Sequence, residues 1–147
     1  MTKRFNMDER DAAQAFLEEI CATRDAMIQR FMPRVATDCE RSIMWIGGEL
    51  THVVRKKVRL HGEDESVEGG FEPDDAERGI AEATLAALAP AIRDALLYAR
   101  IDVMPDDDGS LVLSELELIE PSLFFPHSEC SVARFVSAVE SAMATRA

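Results

Sequence analysis

A chain of 147 residues, 47% hydrophobic and 30% charged, is long enough to bury the core of one ordinary domain and is not composed like a disordered tail. Its net charge of −12 excludes a broad nucleic-acid or anionic-lipid surface unless the basic residues gather on one face. No run approaches the roughly 18 apolar residues of a membrane span, and the charged N-terminus lacks the apolar stretch of a secretory signal. The expected compartment is the cytoplasm.

In chain order, Asn6-Met7-Asp8-Glu9 reads as a capping box with Asn6 at the N-cap. Ala12, Ala13, Phe16, Leu17, Ile20 and Cys21 then follow helical spacing and predict an amphipathic helix over 8–24, with Cys21 buried on its apolar face. A short strand is expected at 26–31, ended by Pro33. Strands at 42–46 and 50–58 flank Gly47-Gly48-Glu49, a hairpin signal. The dense basic run Arg55-Lys56-Lys57-Val58-Arg59 alternates between two strand faces and reads as a solvated strand end.

The acidic, glycine-bearing stretch 61–70 shows no periodicity and predicts a mobile loop. Pro73 suits a first helical position, with Asp74 and Asp75 favoured by the helix dipole. That helix carries Ile80, Ala83, Leu85 and Leu88, and Pro90 interrupts it. Strands at 96–104 and 111–119 flank the turn Pro105-Asp106-Asp107-Asp108-Gly109-Ser110. Val132, Phe135, Val136, Val139 and Met143 mark a C-terminal helix. The order helix, three strands, helix, two strands, helix predicts a single α+β domain over 1–147, its helices packed on a largely antiparallel sheet.

Neither the cysteines nor the histidines form a site pattern. Cys21, Cys39 and Cys130 are odd in number and widely separated, and His52, His61 and His127 match no metal-ligand spacing. The carboxylates do. Period two places Arg100 and Asp102 on one face of their strand and Glu115 and Glu117 on one face of the next. The turn between the strands sets the two pairs side by side. Two carboxylates about 4 Å apart repel by roughly 4 kcal/mol at an effective dielectric near 20. Such a group is either a solvated strand face or gathered by a cation, and the pattern alone leaves both open. Without His or Cys the ligands select a hard ion, Mg²⁺ where phosphate supplies the remaining oxygens. An EF-hand reading of Asp106, Asp108, Gly109 and Glu115 fails, because its first ligand position falls on Met104.

Leu97-Tyr98-Ala99-Arg100-Ile101-Asp102, followed across the turn by Glu115-Leu116-Glu117-Leu118-Ile119-Glu120-Pro121-Ser122-Leu123-Phe124, resembles the ATP-grasp superfamily of carboxylate–amine ligases. Within it, the small-molecule ligases related to glutathione synthetase are the likeness. The resemblance implies Asp102, Glu115 and Glu117 as Mg²⁺ ligands and Arg100 as the catalytic residue stabilising charge on the transferred phosphoryl group. Met27-Ile28-Gln29-Arg30-Phe31-Met32-Pro33 resembles the hinge strand whose backbone meets the adenine edge, which implies ATP contacts at Gln29 and Phe31. Glu40-Arg41-Ser42 resembles a Gly-Glu-x-Ser motif, with Cys39 standing in place of Gly, and implies Glu40 at the ribose hydroxyls. Gly48-Glu49-Leu50-Thr51-His52-Val53-Val54-Arg55-Lys56 resembles the next hairpin and implies Lys56 at a phosphate; His52 is left outside the site.

The resemblance covers the C-terminal half of such an enzyme. It implies ATP and Mg²⁺ as cofactors, small-molecule carboxylate and amine substrates, and neither nucleic acid nor membrane as a partner. The N-terminal substrate lobe and the Gly-rich lid lobe are expected to be absent from the chain. A homodimer or a complementing N-terminal lobe is the expected association, because apolar surface that a lobe would cover favours it. The alternative is a non-catalytic module that binds nucleotide, metal or a partner.

Overall fold

Two glycines with left-handed backbone, Gly47 at φ +56° and Gly48 at φ +93°, turn the chain between β1 (Glu40–Ile46) and β2 (Glu49–Lys56). The computed structural model describes residues 3–57 and 66–146. Its remaining elements are α1 (Arg10–Cys21), α2 (Val35–Asp38), β3 (Val67–Phe71), α3 (Asp75–Ala86), α4 (Pro90–Arg93), β4 (Tyr98–Pro105), β5 (Leu111–Glu117), a 3₁₀ turn (Phe125–His127) and α5 (Ser131–Arg146). The sheet is antiparallel throughout, in the order β3-β2-β1-β4-β5. This is the expected α+β class.

The chain divides into two units, one up to Phe31 and one from Met32 onward. In the first, Glu9 does reach back to the Asn6 backbone N–H at 2.8 Å, as a capping box requires. The helix nevertheless starts at Arg10, with Glu9 as its N-cap, and ends at Cys21, so it is shorter than 8–24. None of its residues is buried, and Cys21 is exposed. Phe5 stacks on Phe16 with centroids 5.5 Å apart, and Arg4 lies over the Phe31 ring at 3.7 Å. The strand expected at 26–31 does not form. A strand needs a hydrogen-bonded neighbour, and none of the five sheet strands comes from this segment. Met27 and Ile28 there are 89% and 74% exposed.

In the second unit the sheet has two distinct faces. Ile43, Val53, Ala99, Ile101 and Val103 point to one, where α3 covers them with Ala81 and Leu85. Burying each large aliphatic side chain contributes roughly 1.5–3 kcal/mol. Asp74 caps α3 by accepting from the Glu77 N–H, and Glu77 returns the bond to the Asp74 N–H. Helix α3 therefore starts two residues later than Pro73 suggested, and Pro90 opens α4 after α3 has already ended.

The other face carries Met44, Ile46 and Val54, packed at one end against Leu123, Tyr98, Phe125 and Phe135 of α5. Toward the opposite end of this face the residues turn charged. The stretch expected to be a loop at 61–70 is corrected in part: 67–70 belong to β3, which pairs with β2, while 61–65 lie outside the described residues, as does Val58. Gly69 lies against His127, and a Cβ placed there would meet the imidazole Cγ at 2.5 Å. A strand with Gly-Gly at its centre lacks the alternation by which strands are read. No helix among the described residues is long and apolar enough to cross a membrane.

Candidate metal and phosphate site

The register builds the site. Ser42 on β1 stands opposite Asp102 on β4, Asp102 opposite Glu115 on β5, and Arg100 opposite Glu117. Glu40 on β1 stands opposite Lys56 on β2. The pairing runs regularly from Arg100–Glu117 to Asp102–Glu115, so Glu115 and Glu117, two residues apart, share the Asp102 face; a bulge between Asp102 and Val103 resets it just beyond. One carboxylate oxygen from each of Asp102, Glu115 and Glu117 lies within 4.8 Å of the other two. Asp102 is fully buried, Glu117 half-buried and Glu115 exposed.

Two cations thread this group. Arg100 Nε and Nη2 donate to Asp102 Oδ1 and Oδ2, each at 2.9 Å, and Nη2 also donates to Glu117. Lys56 Nζ donates to Asp102 Oδ2 at 2.8 Å and lies 3.3 Å from Glu40 Oε2. Burial penalises the Arg100 guanidinium, yet its bonds to Asp102 and the nearby charges of Asp102, Glu117 and Glu115 outweigh that and hold its pKa above the ordinary value. Burial likewise favours neutral Asp102, but donation from Arg100, Lys56 and Ser42 wins and keeps its pKa below the usual carboxylate value. Glu115 is the exception: its carboxylate makes no hydrogen bond or ion pair among the described residues, although it stands beside the other two.

The donor set suits a hard divalent ion. Four carboxylates (Glu40, Asp102, Glu115, Glu117) against two cations (Lys56, Arg100) leave two negative charges unbalanced. Three of the four offer oxygens to one point, with no soft ligand among them.

Six of the residues singled out by sequence thus come together here: Glu40, Lys56, Arg100, Asp102, Glu115 and Glu117. Gln29 and Phe31 fall in the first unit, in an irregular stretch where Gln29 is exposed and Phe31 half-buried. Two buried residues on the same sheet face escaped sequence reasoning as members of the site. Ser42 and His52 are 0% and 2% exposed; the Ser42 hydroxyl lies beside the Asp102 carboxylate, and the His52 ring lies beside the Leu123 and Phe124 backbone. Period two, counted from Glu40 and from Lys56, was the signal that placed both on this face. His52 Nδ1 lies 2.9 Å from the Thr51 hydroxyl, and burial holds its pKa below the usual value.

Just before β1, Cys39 adopts φ +64° and ψ 162°. This is backbone that only glycine enters freely, at the position where the Gly-Glu-x-Ser motif has Gly.

No protein-family model and no curated protein matches the sequence. Solved structures do match. D-cycloserine synthetase DcsG aligns over 95% of this chain and 50% of its own, with TM-score 0.80 and 24% sequence identity. D-alanine–D-alanine ligase from Bacillus anthracis, complexed with ATP, aligns over 99% of this chain and 58% of its own, with TM-score 0.58 and 14% identity. Both are ATP-grasp ligases, and the chain spans about half the length of each. The chain has the fold of that half.

Proposed function

We propose that this chain is the C-terminal, metal- and ATP-binding portion of an ATP-grasp ligase that activates a carboxylate as an acyl phosphate and joins it to an amine. The observation that carries the reading is the convergence of the Asp102, Glu115 and Glu117 oxygens within 4.8 Å, beside Arg100 and Lys56, on this fold. The ATP in the structure of a ligase with the same fold supports the choice of nucleotide. Asp102, Glu115 and Glu117 would hold Mg²⁺, which when bound neutralises charge on the transferred phosphoryl group.

Arg100 supplies the fixed positive charge. Its planar fork of N–H donors matches phosphoryl oxygens as well as carboxylates. Lys56 supplies a point charge from the neighbouring strand, and Glu40 an acceptor for ribose hydroxyls. The sequence resemblance, and no geometry, assigns Gln29 and Phe31 to the adenine edge. The substrate carboxylate takes the γ-phosphoryl group and releases ADP. The amine then attacks the acyl carbon and expels phosphate. A lobe from elsewhere, in the same polypeptide or a partner, would hold both substrates. The cytoplasm, where ATP and Mg²⁺ are available, is the matching compartment.

A second reading is a non-catalytic nucleotide- or metal-binding module. It is favoured by the irregular backbone at 26–31, which leaves the adenine edge without its expected strand. Two experiments decide. Mg²⁺ with ADP should raise the melting temperature of the wild-type chain and leave Glu115→Gln unchanged. No shift in the wild type would sink both readings. ADP release with mixed carboxylates and amines, abolished by Asp102→Asn, separates the ligase from the module.

A further inference from the structure

Lys56 Nζ donates to Asp102 Oδ2 at 2.8 Å and lies 3.3 Å from Glu40 Oε2, with 13% of its side chain exposed. The chain thus places a cation of its own against the most buried carboxylate of the metal-binding group. Arg100 grips the same carboxylate with two nitrogens, Nε and Nη2, and bonds Glu117 as well. Lys56 is held more simply, by an ammonium at the end of a flexible four-carbon stem. Of the two cations it is the one that can turn away without breaking a two-pronged contact.

Resting on the metal-site reading above, we propose that Lys56 is a built-in counter-ion that opposes a divalent cation binding alone and turns to phosphate when nucleotide binds with it. Charge sets the sign of the first effect. An ammonium bonded to Asp102 stays within a few ångströms of any cation on that carboxylate, and at such low exposure solvent and salt screen their repulsion little. With Lys56 present the four carboxylates and Arg100 leave two negative charges unbalanced, and without it three. Nucleotide reverses the role of the lysine. Phosphate oxygens bring negative charge to the site, and the flexible stem lets the ammonium leave Asp102 for them. Lys56 then favours the ligand pair although it disfavours the metal by itself, which is a positive coupling between the two ligands.

The test compares wild type, Lys56→Met, Lys56→Gln, Lys56→Arg and Glu115→Gln at a temperature where circular dichroism shows each folded. Mn²⁺ without nucleotide is titrated by its free-ion electron paramagnetic resonance signal, and ADP in saturating Mg²⁺ by calorimetry. Both neutral variants should bind Mn²⁺ on the order of 10-fold more tightly than wild type and ADP on the order of 10-fold more weakly. Lys56→Arg, which keeps the charge, should stay close to wild type for Mn²⁺, and Glu115→Gln should lose the site. Opposite signs in the two titrations are the signature of the coupling. Mn²⁺ affinity that is unchanged or weaker in the neutral variants overturns the inference, since Lys56 would then be only a phosphate contact or a structural group. ADP affinity that is unchanged or tighter also overturns it, since Lys56 would then never reach phosphate. Absence of Mn²⁺ binding from wild type and both neutral variants, or full binding by Glu115→Gln, overturns the metal-site reading and this inference with it.

Discussion

Lys56 on β2 reaches over β1 to Asp102 on β4, its Nζ 2.8 Å from Oδ2. The β1 residue opposite Asp102 is Ser42, whose short side chain leaves the lysine room to cross. The Lys56 side chain is 13% exposed and that of Asp102 1%, so solvent screens the pair little. Breaking a buried ion pair typically costs about 3–5 kcal/mol, and Arg100 still compensates Asp102 when the lysine is gone. Lys56→Met should therefore destabilise the chain by about 1–3 kcal/mol in urea unfolding at neutral pH. A neutral substitution would mean that Arg100 alone satisfies Asp102.

The same carboxylate gives a pH signature. Its folded pKa lies below the unfolded one, so the unfolded chain takes up the proton first as pH falls. Its contribution is complete above the unfolded value near 4 and is lost as pH falls through the folded value. Asp102→Asn lacks this term, whereas Asp38 and Asp108, which are also lowered, are common to both proteins. The stability gap between wild type and Asp102→Asn should be widest at pH 5–7 and narrow steadily below about pH 4. A gap that stays constant down to pH 2 would show that Asp102 titrates normally.

Cys39 offers a gain. With φ +64° and ψ 162° it sits where side chains are strained by about 1–3 kcal/mol. Glycine removes that strain but adds about 0.5–1 kcal/mol of unfolded-chain freedom. Cys39→Gly should raise stability by roughly 1 kcal/mol, read as a higher urea midpoint with an unchanged slope. A loss of stability would mean that packing of the half-buried thiol outweighs the backbone.

What could be read in the sequence follows from which signals are local. The β4–β5 hairpin was legible because Ile101 and Leu116 alternate with Arg100, Asp102, Glu115 and Glu117 around a Pro-Asp-Asp-Asp-Gly turn. The same alternation brought the three carboxylates together in advance. What it could not supply was the long-range pairing. That Lys56 bonds Asp102, or that Arg41 reaches the buried Glu77 at 2.6 Å, depends on contacts 46 and 36 residues apart. The strand expected at 26–31 failed because apolar residues such as Met27 and Ile28 make a strand only beside a partner. Its place as third strand went to Val67–Phe71, whose sequence hides it.

That hidden strand carries the last test. Gly69 pairs with Val54 on β2, and a Cβ there would lie 2.5 Å from His127 Cγ and Nδ1 and 2.7 Å from His127 Cβ. Its φ is not in the left-handed region, so the demand for glycine is steric alone. The imidazole cannot retreat by bending its tip, because its own Cβ is among the clashing atoms. Gly69→Ala should then cost about 2 kcal/mol, in the range for overpacking a filled site. Removing the obstacle should remove most of the penalty: in a His127→Ala background the same substitution should cost under about 0.5 kcal/mol. A full double-mutant cycle by urea unfolding measures the difference. Equal costs in both backgrounds would show that His127 does not dictate the glycine in β3.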